Sequence, residues 1–329
     1  MDLAPLTIDI PAQPWSGRND GDGAEHRRWW QAVTALGGET ALGAALPAGG
    51  TRPAVLLGFC SDEGVRRNQG RVGASAAPAE IRAALGSLAW HGERTLYDAG
   101  DVLVSGAGLL AGQLRAGAAL TAMLDGGALT VVLGGGHEIA YASYLGVVNS
   151  RRVREGARWG VLNLDAHFDL RDAPVPSSGT VFLQMANAEA EAGRSLNYAV
   201  VGISEPNNTR ALFRTADQLD VKYLLDEDCS LERAREFVAS FLERIDVLHL
   251  TIDLDVFEAS LAPGVSAPAA YGVPLPVIAA ICRQVAASGK LFHADVAELN
   301  PEFDIDHRTA KLAARLVNTV LRAESCGLS

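Results

Sequence analysis

Apolar residues in this chain gather in short continuous runs separated by longer stretches in which they recur at helical spacing. The short runs, at 54–59, 129–133, 159–164, 198–203, 221–225, 247–252 and 291–296, have the length and character of buried strands. Between most of them lie helix-length segments at 78–88, 107–124, 138–148, 231–242 and 275–287, with 309–322 closing the chain. Pro78 suits the first turn of its helix, where a missing N–H costs nothing. Strands alternating with helices predict crossover units and therefore an α/β fold with a mostly parallel sheet covered on both faces. Ligands of such sheets collect beyond the carboxyl ends of the strands, so polar residues at those points carry the most information.

Composition narrows the picture. A chain of 329 residues, 48% of them hydrophobic, can bury a sizeable core. No linker or repeat divides it, so a single domain is expected over 1–329, with 1–50 a short N-terminal extension packed on it. The formal charge of −11 offers no field for a phosphate backbone, which excludes nucleic acid as a partner. The apolar stretch 116–133 is interrupted by Asp125, Gly126 and Gly127, and the first residues lack a basic, then apolar, leader. Neither a membrane span nor export is expected. Cys60, Cys229, Cys282 and Cys326 lie far apart without a CxxC pair, as reduced thiols of a cytoplasmic protein would.

Four segments place unusual polar residues at the ends of apolar runs: Gly134-Gly135-Gly136-His137-Glu138, Asp165-Ala166-His167-Phe168-Asp169, Asp253-Leu254-Asp255 and Glu298-Leu299-Asn300-Pro301. Converging carboxylates repel one another unless cations compensate them, so a metal site is the economical explanation. Alternation along a strand would put Asp253 and Asp255 on one face, and likewise Asp165 and His167. Asp169 is different: on an extended chain it would lie about 13 Å from Asp165, so the backbone must curl there. His137, Asp165, His167, Asp169, Asp253 and Asp255 are too many for one tetrahedral ion and suit a pair of ions. Oxygen-rich ligation with some imidazole and no thiolate favours manganese over zinc or copper. The glycines at 134–136 lack the spacing and lysine of a phosphate loop. His26, His91 and His307 read as surface residues, and His249 and His293 as satisfied strand residues.

These residues also carry a resemblance. The motifs GG-x-H, D-A-H-x-D and [ST]-x-D-x-D occur in order across 133–256, and the chain thereby resembles the arginase-type ureohydrolases. Within that family it is most similar to the formiminoglutamase branch, on Trp15-Ser16-Gly17-Arg18-Asn19-Asp20, the run from Gly58 to Asn68, Gly136 and Glu138 around the histidine, and Asp165 to Arg171. The resemblance implies a three-layer α/β/α fold, two Mn2+ ions per subunit, a homo-oligomer (trimer or hexamer), and hydrolysis of N-formimino-L-glutamate to glutamate and formamide. It implies that His137, Asp165, Asp169 and Asp253 hold one ion and Asp165, His167, Asp253 and Asp255 the other. Asp169 and Glu298 are then the expected catalytic carboxylates, Glu298 orienting the cationic amidine nitrogen. The substrate carboxylates need donors, for which Arg171, Ser178 and Gly179 are the candidates, with Arg66 and Asn68 behind them. Arginases usually have Asp and Ser where this chain has Gly136 and Glu138, and a histidine where counting places Phe182. Those departures weigh against a guanidino substrate. Retention of all six ligands and Glu298 weighs against a metal-binding homologue without activity.

Overall fold

The computed structural model describes residues 7–36 and 51–322. Nine parallel strands form one sheet: β1 (Val33–Ala35), β2 (Ala54–Cys60), β3 (Leu96–Leu103), β4 (Leu129–Leu133), β5 (Trp159–Leu164), β6 (Tyr198–Ile203), β7 (Lys222–Leu225), β8 (Val247–Asp253) and β9 (Leu291–Ala297), in the order β1-β3-β2-β4-β9-β8-β5-β6-β7. The seven apolar runs all became strands, with ends moved by no more than one residue. Helices cover both faces, which makes the three layers. Leu162, Leu164, Leu250 and Ile252 pack under helices Leu231–Glu243, Leu275–Ala287 and Arg308–Arg322. Val161 and Val200 face helices Ile139–Asn149 and Val181–Glu191, while Val55 and Leu57 face Leu109–Asp125. Opposite packing of neighbouring residues is what a sheet buried on both faces requires. Among the described residues no helix is long and apolar enough to cross a membrane. Cys60, Cys229 and Cys282 are free thiols; Cys326 lies outside the described residues.

Two strands escape the hydrophobic pattern. β3 carries Asp98, Gly100 and Asp101 in its middle, yet Asp98 is 1% exposed. Its charge is tolerated because the guanidinium of Arg82 forks onto it, Nε donating to Oδ2 and Nη2 to Oδ1, both at 2.9 Å, while Nη1 donates to Asp101 at 2.6 Å. The Trp15 indole N–H also donates to Asp98, at 2.7 Å. Gly58 on β2 is forced by this arrangement, since a Cβ there would lie 1.8 Å from Asp101 Oδ1. β1, only three residues long, belongs to the segment expected as an N-terminal extension and adds an edge strand to the sheet. Trp29 from the same segment is fully buried, its N–H donating to Asn318 at 2.8 Å. Residues 1–6 and 37–50 of that expected extension lie outside the described residues.

The strand order gathers the polar segments. β4, β9, β8 and β5 are adjacent in the middle of the sheet, and each carries one of the four at or just past its carboxyl end. Segments up to 164 positions apart in sequence therefore meet in one crevice (134 to 298).

Arg82→Met keeps the aliphatic stem and removes the fork, leaving Asp98 buried without a countercharge. The expected loss is about 3–5 kcal/mol, read as a lowered denaturant midpoint. A loss below about 1 kcal/mol would mean that the Trp15 contact and neighbouring N–H groups suffice to hold the carboxylate.

Candidate active site

After β4 the chain passes through Gly134 and Gly135, with φ of 68° and 91°, before His137. A Cβ on Gly135 would sit 2.7 Å from the Phe59 carbonyl, so only glycine lets the turn lie this close to β2. After β5 the chain leaves the sheet at once. Asp165 and His167 do not alternate along a strand, as the sequence pattern suggested; they are joined by a turn in which the His167 N–H donates to Asp165 Oδ1 at 2.6 Å. The same correction applies to Asp255, which stands on the 3-10 turn Leu254–Val256 and donates its N–H to Asp253 Oδ1 at 2.8 Å. The expected curl falls at Asp169, whose φ is 48°. Asn208, at the end of the 3-10 turn Glu205–Asn207 that follows β6, braces this loop: its Oδ1 accepts from the Phe168 N–H at 3.1 Å and its Nδ2 donates to the Ala166 carbonyl at 2.9 Å. Past β9, Glu298 is also left-handed, with φ 70°, and its Oε1 accepts from the His137 N–H at 2.8 Å.

The side chains converge. His137 Nδ1 lies 2.9 Å from Asp169 Oδ2, 3.1 Å from Asp165 Oδ2 and 3.2 Å from Asp253 Oδ2. His167 Nδ1 lies 3.0 Å from Asp255 Oδ2 and 3.5 Å from Asp165 Oδ1. Two groups, His137–Asp165–Asp253 and Asp165–His167–Asp255, each keep their ligand atoms within 4.8 Å of one another, with Asp165 common to both.

The other nitrogen of His137 decides what the first is for. Nε2 lies 3.0 Å from Thr251 Oγ1, and the Thr251 hydroxyl donates to Asp295 Oδ1 at 2.5 Å. Burial opposes the charge on Asp295, but His249 and His293 outweigh it and hold this carboxyl below its usual range. With its proton spent on Asp295, Thr251 can only accept from His137 Nε2–H, which leaves Nδ1 free to act as a ligand. A histidine lone pair among carboxylate oxygens is an acceptor-only set, and a divalent cation fits it. Without a cation a proton takes that place: burial disfavours the imidazolium, but Asp165, Asp169 and Asp253 raise the pKa of His137 well above its ordinary value. The buried group His249–His293–Asp295 is also rich in ligand atoms, but His249 Nε2 and Asp295 Oδ2 are 2.6 Å apart. That is a hydrogen bond between two fully buried groups that satisfy each other, and none of the three residues reaches the cavity over the other two groups.

The remaining carboxyls show the strain of crowding. Burial first, then Asp255 and Asp165, push Asp253 well above the usual range; Asp169 and Asp255 are raised too, mainly by burial. Burial and the nearby Glu138 push Glu298 up to about 8. Asp165 alone moves down, because His137 and His167 outweigh its burial.

A cavity of about 280 Å³ opens over this cluster. Of the residues expected to bind the substrate carboxylates, Arg171, Ser178 and Asn68 line it. Arg66 does not; its guanidinium is engaged by Glu63 at 2.6 and 2.8 Å. Gly179 stands behind the wall, its carbonyl accepting from the Arg171 N–H at 3.0 Å. Gln69, Asn207 and Ser266 also line the cavity and were not expected. Asn207 and Asn208 could have been found from their place just past β6, where the same rule about strand ends applies. Phe182 is buried with its ring edge-on to His137, centroids 5.5 Å apart, and stacks on Tyr198 at 4.3 Å.

A model of the arginase family matches residues 52–322. The formimidoylglutamase of Rhodococcus jostii (strain RHA1) is 53% identical over 315 residues, covering 95% of this chain and 96% of that protein. Among solved structures, formimidoylglutamase from Bacillus subtilis superposes with a TM-score of 0.77 at 20% identity over 93% of each chain. Trypanosoma cruzi formiminoglutamase with Mn2+ gives 0.74 at 24% identity, covering 82% of this chain and 93% of that one. At such identities the structural likeness bears on the fold.

The crowding has a pH signature in the chelated protein. A carboxyl or histidine with a raised folded-state pKa contributes stability that is full below its unfolded value and is lost as pH rises through the folded one. Glu298, Asp253, Asp169, Asp255, His137 and His167 all act in that sense and Asp165 against it. Between the ordinary value of 4.5 and about 8 for Glu298, the thermal midpoint of chelated protein should therefore fall. Added manganese should restore more at pH 8 than at pH 5.5, as thermal scans at both would show. A midpoint that rises with pH would contradict the picture.

Proposed function

The chain belongs to the arginase family, and on that footing we propose that it hydrolyses N-formimino-L-glutamate to L-glutamate and formamide with two manganese ions per subunit. The observation that carries the reaction is the close likeness to formimidoylglutamase along almost the whole chain. The cavity supports it: its lining combines the acceptor-only cluster with the donors Arg171, Asn68 and Ser178. A cationic amidine and two carboxylates, joined by a short carbon chain, match those two sets of groups in charge.

His137, Asp165, Asp169 and Asp253 would hold one ion and Asp165, His167, Asp253 and Asp255 the other. When bound, the pair would compensate the carboxylates and lower the pKa of a water to about 7, so that a nucleophile exists at neutral pH. The Asp169 carboxylate would accept the proton the water gives up and pass it to the departing glutamate nitrogen. Glu298 keeps one oxygen on the His137 N–H and offers the other to the formimino nitrogen, which holds the carbon in line for attack. Arg171 grips a carboxylate of the glutamate end through its planar fork, with Asn68 and Ser178 as further donors. The sum is amidine plus water giving formamide and the free amine. Phe182 covers the face of the cluster under His137 and keeps bulk water from that side.

Incubation of manganese-loaded protein with N-formimino-L-glutamate should release formamide, and incubation with arginine or agmatine should release no urea. Urea as the faster product would overturn the substrate assignment. On the formimino substrate, Glu298→Gln should lower kcat on the order of a hundredfold with metals retained. Arg171→Lys should raise KM about tenfold with a smaller change in kcat.

Metal analysis tests the ligand set independently of turnover. Asp165→Ala should remove both ions, because both groups use it, whereas His137→Ala should weaken mainly one. Two ions retained per chain in Asp165→Ala would refute the shared-ligand assignment.

A further inference from the structure

Glu138 directly follows a proposed ligand, yet it takes no part in the proposed chemistry and does not line the cavity. Its carboxyl is fully buried and points the other way, into the segment 61–70. Oε1 accepts from Ser61 Oγ at 2.7 Å and from the Gly64 N–H at 2.9 Å. A backbone bond runs alongside, the Gly136 N–H donating to the Ser61 carbonyl at 3.0 Å. Gly64 belongs to the short helix Glu63–Arg67, whose own N-cap residue, Asp62, gives it no side-chain cap. Asp62 is occupied elsewhere, accepting from the Gly73 N–H at 2.9 Å and Ser75 Oγ at 3.0 Å. The orphan donor in the first turn is thus satisfied from the metal-ligand loop, across a gap of 74 residues.

What hangs from that helix is one wall of the cavity. The Asn68 N–H donates to the Gly64 carbonyl and the Gly70 N–H to the Val65 carbonyl, both at 2.9 Å, and Asn68, Gln69 and Gly70 all line the cavity. The fit around the carboxyl is tight: a Cβ on Gly64 would lie 2.5 Å from it, and one on Gly136 only 2.2 Å. The two glycines and the glutamate thus form one contact, and nothing larger than hydrogen is accommodated on either side of it.

We propose that Glu138 is a positioning residue for substrate selectivity: its carboxyl ties segment 61–70 to the loop bearing His137, and so sets how far Asn68 and Gln69 stand from the reacting end. The probe rests on the proposed substrate; the tether does not. Because the link acts through Asn68 and Gln69, its loss affects a substrate that reaches them and spares one that does not.

The test uses full-length manganese-loaded protein, with kcat and KM for N-formimino-L-glutamate and for formamidine, metal content, and amide hydrogen exchange over 64–70 without substrate. Relative to Glu138→Gln, which removes the same charge from beside Glu298, Glu138→Ala should raise KM for the long substrate by at least about tenfold, leave kcat within about threefold, and leave kcat/KM for formamidine unchanged. Exchange at Gly64 and 68–70 should accelerate by about tenfold or more with both ions retained. Glu138→Gln keeps an acceptor oxygen for Ser61 and Gly64 and should recover most of the loss. Ser61→Ala, which leaves the glutamate in place, should move KM and exchange in the same direction by less, and it carries the test if the alanine variant does not fold. Unchanged exchange over 64–70, or an equal fall in kcat for both substrates at unchanged KM, would overturn the proposal. If the parent hydrolyses neither compound, the substrate reading fails, and the exchange data alone decide the tether.

Discussion

Four aspartates, a glutamate and two histidines brought beneath the surface of one crevice cannot be stable as a bare cluster of negative charge, and much of the architecture answers that demand. Each element of the answer is local. Glycines at 134 and 135 let His137 approach, Asn208 braces the turn that bears Asp165 and His167, and Thr251 with Asp295 fixes which nitrogen of His137 faces the carboxylates. The sheet order supplies the rest. Only because β4, β9, β8 and β5 are neighbours do the four polar segments meet at all.

Much of this is legible in the amino-acid sequence. Runs buried on both faces look the same in sequence whatever lies around them, so seven strands and the parallel sheet can be read directly. The polar residues at strand ends stand out for the same reason, against an apolar background. What fails has physical causes. β3 is hidden because Asp98 and Asp101 break the apolar pattern, and their partner Arg82 lies on a helix in an earlier stretch of chain. Strand alternation misplaces His167 and Asp255, because the chain has already left the sheet at Asp165 and just past Asp253. The cavity wall is assembled from short loops after several strands, and no periodicity marks Gln69, Asn207 or Ser266.

Resemblance and geometry contribute different things. The family likeness identifies a reaction but says little about why Gly136 and Glu138 flank His137 in this chain. Geometry supplies a reason that motif matching lacks. The carboxyl of Glu138 occupies the space that a side chain on residue 136 would need, so the two departures from the usual arginase pattern are one structural choice.

Asp169 and Glu298 stand on left-handed backbone, where each non-glycine residue costs about 1–2 kcal/mol. Glycine at either position would relax the chain and erase a carboxylate to which the proposed reaction gives a role. Durability and activity therefore pull in opposite directions at these two points. A library screened for heat tolerance alone would drift towards glycine there and return sturdier, inert proteins, so any thermostabilisation of this scaffold has to hold 169 and 298 fixed and look for its gains elsewhere.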